Sequence, residues 1–345
     1  MMYPDSAVVD IPPKEVPEKQ EKKKRSLKSK ILRILLWILI FLLALTSCFF
    51  IYTLICNSID EGKIKKYSQN YPKVEINGRQ MSYKIAGEKN NQTIALLPGM
   101  GSPSPIIEFK PLAEALSDRF KVISIEPFGY GFSDDIDTEN RDLGTVISEV
   151  RECVKKLGVD KYYVMGHSMG GLFSLKWANQ YSDEVLGVVS LDGSVPGTEK
   201  FSSKDEFIGF YKKSKFFAKI GLVRPLLALS PSQIPLDSNY PYTEEEIDIE
   251  KLILINHTYT KGAWDDIETF FDRLVNNEGV KFPDNIPSLT FLSGDSVKAT
   301  PEWESLHHDI LGNNTRNEIN VLDGPHYIHY PQKDVIAKKI KEWIQ

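Results

Sequence analysis

Cysteine is scarce in this chain, with three in 345 residues. Cys48 and Cys56 stand in an apolar run and Cys153 in a segment of helical periodicity, so no disulfide framework or cysteine metal cluster can be read from them. Positive charge is also missing where a polyanion would need it. The net charge is −5, yet residues 1–33 hold nine Lys/Arg against five Asp/Glu, a balance of +4 that leaves −9 on the rest. Binding to nucleic acid is driven largely by Lys/Arg neutralising phosphates, so a body of this sign excludes that partner. No internal repeat is present, which excludes a solenoid. Charge of either sign is absent from residues 34–56, "ILLWILIFLLALTSCFFIYTLIC".

That last absence says most about the N-terminal part. As a helix, 23 residues span about 34 Å, enough for a hydrocarbon core of about 30 Å. Fifteen of them are Leu, Ile or Phe, and together they favour insertion by roughly 6 kcal/mol at most. The segment 31–56 is therefore expected to cross a membrane. Residues 1–30, rich in Pro, Lys and Glu, bury too little to offset their ordering entropy and are expected to be disordered. Lys22, Lys23, Lys24, Arg25, Lys28, Lys30 and Arg33 crowd the N-terminal flank, whereas Lys63, Lys65 and Lys66 beyond the span are diluted by Asp60 and Glu61. The bias places the tail in the cytoplasm and residues 57–345 outside it, as a single-pass protein of the cell membrane. The run is too long for a secretory h-region and lacks an A-x-A site. Leu45-Thr46-Ser47-Cys48 resembles a lipoprotein processing box, but the apolar run continues for eight residues beyond Cys48.

After a linker over 57–71, strands alternate with amphipathic helices. "VEINGRQMSYKIAG" reads as a hairpin about Asn77-Gly78. Strands follow at 93–99, 121–129, 162–166 and 185–193, with helices through "PLAEALSDRF", 141–157 and "GGLFSLKWANQY". The alternation stops at residue 194 and resumes at "SLTFLSGD", followed by a helix near 301–311, a strand at 318–324 and a terminal helix. Such alternation predicts a mostly parallel sheet with helices on both faces. It forms a core over 72–194 and 287–345, and residues 195–286 form an inserted lid.

The chemistry gathers at Gly166-His167-Ser168-Met169-Gly170. The pattern G-x-S-x-G alone is common, but here an apolar strand precedes it and a helix follows. A nucleophile elbow requires that setting, with glycines permitting the sharp turn and close helix–strand packing. Ser168 is the candidate nucleophile, and the N–H of Met169, opening the helix, is a candidate oxyanion donor. A serine needs a base oriented by a third group. Of the six histidines, His167 lies inside the elbow as a packing or polar residue, His257 falls in the lid, and His307 and His308 lie in a surface-like helix. His326, in the loop after the last strand, is the candidate base, and His329, a helical turn on, supports that loop. Two carboxylates end neighbouring strands. Asp295 gives the chain order Ser, Asp, His that accompanies this elbow and is preferred; Asp192 is the alternative. The second oxyanion donor is expected from the loop Pro98-Gly99-Met100-Gly101-Ser102, at the Met100 N–H.

Residues 72–345 resemble the α/β-hydrolase superfamily, on "LLPGMGS", "EPFGYGFSD", "GHSMGG", "LSGD" and "GPHYIHYPQKDV" in that order. The chain departs from the usual pattern at Pro98, where His is common, and at Glu126, where Asp is common. The resemblance implies an eight-stranded, mostly parallel sheet with a helical lid. It also implies a serine hydrolase that forms an acyl-enzyme without metal or cofactor. Serine rather than aspartate at the elbow argues against dehalogenase and epoxide hydrolase chemistry.

The expectation is thus an anchored esterase- or lipase-like enzyme cleaving an ester, thioester or amide. Phe207, Phe210, Tyr211, Phe216, Phe217 and Trp264 in the lid suggest an apolar acyl or aromatic group in a small-molecule or lipid-like substrate, although such residues also serve as a lid's own core. An aminopeptidase variant would use Glu244, Glu245 or Glu246 to hold an amino terminus. A ligand-binding module that retains the fold is the alternative of another class. Nothing in the sequence sets an oligomeric state.

Overall fold

The computed structural model describes residues 27–344. The disordered tail expected over 1–30 lies outside the described residues as far as residue 26, and 27–30 are already helical. The chain divides into two compact units, Met1–Ile51 and Tyr52–Gln345. The first, where described, is a single apolar helical stretch whose side chains are exposed almost throughout. Helix α1 runs from Leu27 to Ser68, so the linker expected over 57–71 is helical for most of its length. Residues 57–68 contain no proline and carry one glycine, Gly62, whose surroundings are open. This stretch belongs to the second unit and buries Asp60 and Ile64 within it.

The second unit is built on an eight-stranded sheet of order β1-β2-β4-β3-β5-β6-β7-β8. Its strands are β1 (Lys73–Ile76), β2 (Arg79–Ala86), β3 (Thr93–Leu97), β4 (Lys121–Ile125), β5 (Tyr162–His167), β6 (Val185–Leu191), β7 (Ser288–Ser293) and β8 (Glu318–Leu322). β1 with β2 and β2 with β4 are antiparallel; all later pairs are parallel. Asn77 and Gly78, with φ of 51° and 80°, make the hairpin turn between β1 and β2. Two left-handed residues in succession suit the right-handed twist of the strands they join.

Continuous apolar runs become the central strands, because helices cover both faces. Every residue of β3, β5 and β7 is buried. On one face lie α4 (Leu143–Lys156) and α5 (Met169–Gln180); on the other lie α3 (Lys110–Leu116) and α12 (Lys333–Trp343). Helix α4 starts where Asp142 accepts a hydrogen bond from the Thr145 N–H, and it buries Val146, Ile147, Val150, Cys153 and Val154. Burying such a side chain fully contributes about 1.5–3 kcal/mol. Helix α12 anchors the C-terminal end through Ile336, Ile340 and Trp343.

Two short helices add to the expected pattern, α2 (Pro105–Glu108) and α10 (Gly294–Ala299), while α11 (Trp303–Asp309) lies where a helix near 301–311 was expected. The lid consists of α6 (Lys204–Lys219), α7 (Val223–Leu229), α8 (Glu244–Asn256) and α9 (Lys261–Val275). It enters from the C-terminal end of β6 and returns to β7. These two strands are parallel and paired from Val188↔Ser288 to Leu191↔Phe291, so the insertion leaves at the C-terminal end of β6 and returns to the sheet at the N-terminal end of β7.

Candidate active site

The elbow forms where β5 runs into α5. Gly166 is glycine because a Cβ there would come within 2.1 Å of the Gly170 carbonyl oxygen. Gly170 likewise faces the carbonyl oxygens of Leu97 and Pro98, at 3.0 and 2.9 Å from a built Cβ. Between them Ser168 is held at φ 53°, ψ −121°, a conformation that costs a non-glycine residue about 1–3 kcal/mol. Its N–H donates to the Leu191 carbonyl (3.2 Å), and its own carbonyl accepts from the N–H groups of Gly171 (2.8 Å) and Ser194 (2.7 Å). The strained turn is thereby fixed from three directions. Gly99 lets the loop after β3 press onto the elbow, since a Cβ there would lie 3.0 Å from the Ser168 Cβ. Met100 and Met169, the expected oxyanion donors, both line the cavity over Ser168.

That cavity, about 230 Å³, is also lined by Ser168, His326, Tyr327, Glu108, Phe207, Tyr211 and Phe270. His326 Nδ1 lies 2.7 Å from Asp192 Oδ2. An ionised carboxylate only accepts, so Nδ1–H donates to it and Nε2 is left as the basic nitrogen. Asp192 is fully buried and stands just beyond β6 at φ 44°. It also accepts from the Ser293 N–H (3.0 Å), Ser296 Oγ (2.6 Å) and Trp303 Nε1 (2.8 Å). Burial alone would raise its pKa, but the bonds from His326, Ser296 and Ser293 outweigh burial and hold it below the usual carboxylate range.

The preferred acid, Asp295, does not reach the histidine. It sits in the first turn of α10, largely exposed, with its carboxylate 3.7 Å from the Lys298 ammonium. The strand β7 ends at Ser293 and the chain turns at once into α10, carrying residue 295 outward. Asp192, the alternative, follows β6 directly and points under the His326 loop.

The other histidines fall into place around this pair. His167 is buried with Nε2 3.2 Å from the His326 carbonyl oxygen. Burial, with His329 and His326 nearby, pushes its pKa well below the usual imidazole value, so the neutral ring donates to that carbonyl. His329 is buried against Phe109, 3.5 Å from Glu108 Oε1. His257 bonds Glu61 at 2.8 Å. His308 is exposed, but His307, expected on a surface, is buried with its ring nitrogens 2.7 Å and 2.8 Å from the carbonyl oxygens of Trp303 and Gly193. A helix whose inner face packs Trp303 on Asp192 brings His307, one turn on, inside as well.

Sequence reasoning missed Glu108, buried on α2 and held on one oxygen by the Ser102 hydroxyl, because α2 itself was not legible. It also missed the donors Ser293, Ser296 and Trp303, which no motif marks. Glu126 is buried and accepts from Ser104 Oγ (2.7 Å) and the Phe132 N–H (2.7 Å). Burial raises its pKa to about 7 against the pull of those donors. Of the six lid aromatics, only Phe207 and Tyr211 line the cavity. Phe210, Phe216 and Phe217 are exposed, and Trp264 packs beneath the Lys215 ammonium. Glu244 and Glu245 are exposed at the start of α8, and Glu246 caps that helix and pairs with Lys110. None of the three lines the cavity. Among the described residues no group of three or more His, Cys, Asp or Glu is arranged to hold a metal ion.

A family model described as alpha/beta hydrolase fold matches residues 92–219. Bacillus subtilis (strain 168) has a protein of uncharacterised function, YbdG, that is 24% identical over 288 residues, covering 79% of this chain and 85% of its own. A soluble epoxide hydrolase of Corynebacterium sp. (strain C12) is 35% identical over 125 residues, which cover 36% of this chain and 42% of that one. Among solved structures, the enol-lactonase from Burkholderia xenovorans LB400 superposes with a TM-score of 0.57 at 18% identity, covering 79% of this chain and 99% of that chain. With the sheet order and the elbow, these findings define the class. The chain has the α/β-hydrolase fold, and residues 92–219 match its family model.

Proposed function

We propose that this protein is a serine hydrolase that forms an acyl-enzyme on Ser168, with His326 as general base and Asp192 as the carboxylate that orients it. The observation that carries the reading is the 2.7 Å bond from His326 Nδ1 to the buried Asp192, with His326 and Ser168 opening onto one cavity. Ser168 Oγ attacks the acyl carbonyl carbon while His326 Nε2 takes its proton. The carbonyl oxygen becomes an oxyanion, and the N–H groups of Met100 and Met169 stabilise it; one such donor contributes about 3–4 kcal/mol in the transition state. Collapse expels the alcohol, thiol or amine leaving group, which receives the proton from His326. Water, deprotonated by His326, then attacks the acyl-enzyme, and its second collapse returns the acid and free Ser168. Asp192 holds the imidazolium in place at both stages.

The substrate we assign is an ester, thioester or amide with an apolar acyl or aromatic group, since Phe207, Tyr211, Phe270 and Tyr327 face the cavity. A serine nucleophile distinguishes this chemistry from that named for the Corynebacterium relative. The apolar part of α1 is long enough to cross a membrane. With its basic flank on the cytoplasmic side, it anchors the protein in the cell membrane as a single-pass span with the hydrolase outside.

A fluorophosphonate added to the full chain in detergent, read by intact mass beside Ser168→Ala, tests the catalytic reading. Rapid single-site labelling that disappears in the variant is expected. Folded protein that stays unlabelled would overturn it in favour of a binding module.

A further inference from the structure

Residues 52–68 of α1 lie against the lid. Thr53 is buried at Gly221, where a built Cβ would come within 2.5 Å of the Thr53 side chain. Arg224 Nη2 donates to Asn57 Oδ1 (2.9 Å) and Asp60 Oδ2 (2.5 Å), and Asn256 Nδ2 donates to the same Asp60 oxygen (3.2 Å). Farther along, Tyr67 donates to Asp248 (3.0 Å). The corner between α6 and α7 is therefore fastened to α1 at Thr53, in the last turn of the apolar run that ends at Cys56, and at Asn57 and Asp60 just beyond it.

Around that corner the side chains are apolar yet open to solvent. Phe216, Phe217, Leu222, Leu226 and Leu229 are 58%, 50%, 40%, 58% and 84% exposed. Lys212, Lys213 and Lys219 are exposed on the same helix. Soluble monomers rarely leave large contiguous apolar patches uncovered, and an amphipathic helix with such a face and lysines beside it suits an anionic bilayer surface.

We propose that the α6–α7 corner docks on the lipid bilayer, burying Phe216, Phe217, Leu222, Leu226 and Leu229 at the headgroup–acyl boundary while the neighbouring lysines meet anionic headgroups. The inference rests on the reading of α1 as a membrane span. Its occupant is lipid, because residues packed at Thr53 and Asn57 stand where an embedded run would emerge from hydrocarbon. Helix α6 also presents Phe207 and Tyr211 to the catalytic cavity. One helix thus joins the bilayer surface to the space above Ser168, which makes the substrate class an acyl lipid drawn from the membrane.

Spin labels placed singly at Phe217→Cys, Leu226→Cys, Leu43→Cys and Val335→Cys test this, in full chain with Cys48 and Cys56 replaced by serine. Val335, exposed on α12, is the aqueous reference. The host is vesicles of phosphatidylcholine and phosphatidylglycerol, and the readout is the accessibility of each label to oxygen against a water-soluble nickel chelate. Labels at 217 and 226 are expected about 5–10 Å below the headgroup surface, with 335 in water. Should 217 and 226 be open to nickel while 43 is in lipid, the docking proposal falls and the membrane span stands. A label at 43 that is itself open to nickel overturns both. Spin–spin broadening between molecules at 226 would show a second copy on the patch and overturn lipid as its occupant. Unchanged immersion in phosphatidylcholine alone would overturn the role given to the lysines.

Discussion

At the scale of single residues, the sequence offered two aspartates at equivalent ends of adjacent strands, and only folding separates them. Asp192 collects four donors in a buried position, while Asp295 sits exposed beside Lys298. Asp192→Asn is therefore expected to lower kcat on an activated ester by roughly 10⁴-fold, because an amide no longer fixes the productive tautomer. Asp295→Asn should stay within about twofold, as an exposed side chain away from the cavity. The reverse pattern in the same ester assay would sink the assignment. Glu126 offers a test in pH. A carboxyl whose pKa is about 7 folded and 4.5 unfolded holds its proton more tightly in the native state. Its contribution is thus present below about pH 4.5 and lost as pH rises through about 7, on the order of 3 kcal/mol across the window. Thermal unfolding at about pH 5 and about pH 8 should show a smaller fall in Tm for Glu126→Gln than for the parent. An equal fall would place the dependence on other buried carboxyls, such as Glu250, which burial also raises.

At the scale of elements, what was legible depended on repetition. The strands and the helices α4, α5 and α12 announce themselves because their apolar residues recur along a buried face, and the elbow because only glycine fits at 166 and 170. Helices α2 and α10, of four and six residues, are too short to show a period, and through them went Glu108 and the true setting of Asp295. Residues 57–68, expected as part of a linker, are helical, and Lys63, Glu61 and Asp60 pair with lid residues there. Gly166→Ala should destabilise the fold by about 3 kcal/mol, since the Gly170 carbonyl is backbone and yields little. Chemical denaturation checks this; a loss below about 1 kcal/mol would mean that the elbow relaxes.

At the scale of the whole second unit, contacts between residues 52–68 and the lid turn a peripheral helix into part of the structure. Removing Arg224 leaves Asp60, 6% exposed, with a neutral amide as its remaining donor, and breaking a buried pair in this way costs about 3 kcal/mol. Arg224→Ala is expected to speed limited proteolysis within 220–240 while sites in the sheet core stay resistant. Uniform sensitivity across the chain would show instead that the pair stabilises the unit globally.

The four bonds on Asp192 have a further consequence. They come from the end of β7, from α10, from α11 and from the His326 loop, so the carboxylate ties the chain just before the insertion to four positions that follow it. The insertion between residues 195 and 286 contributes no strand to the sheet, although Phe270, Phe271 and Leu274 of α9 pack in its core. All four donors lie outside the lid, so the carboxylate that orients the histidine is held independently of the helices α6 to α9. The aromatic lining that α6 and α9 give the cavity and the clasp that orients the histidine are in that sense housed separately in this molecule.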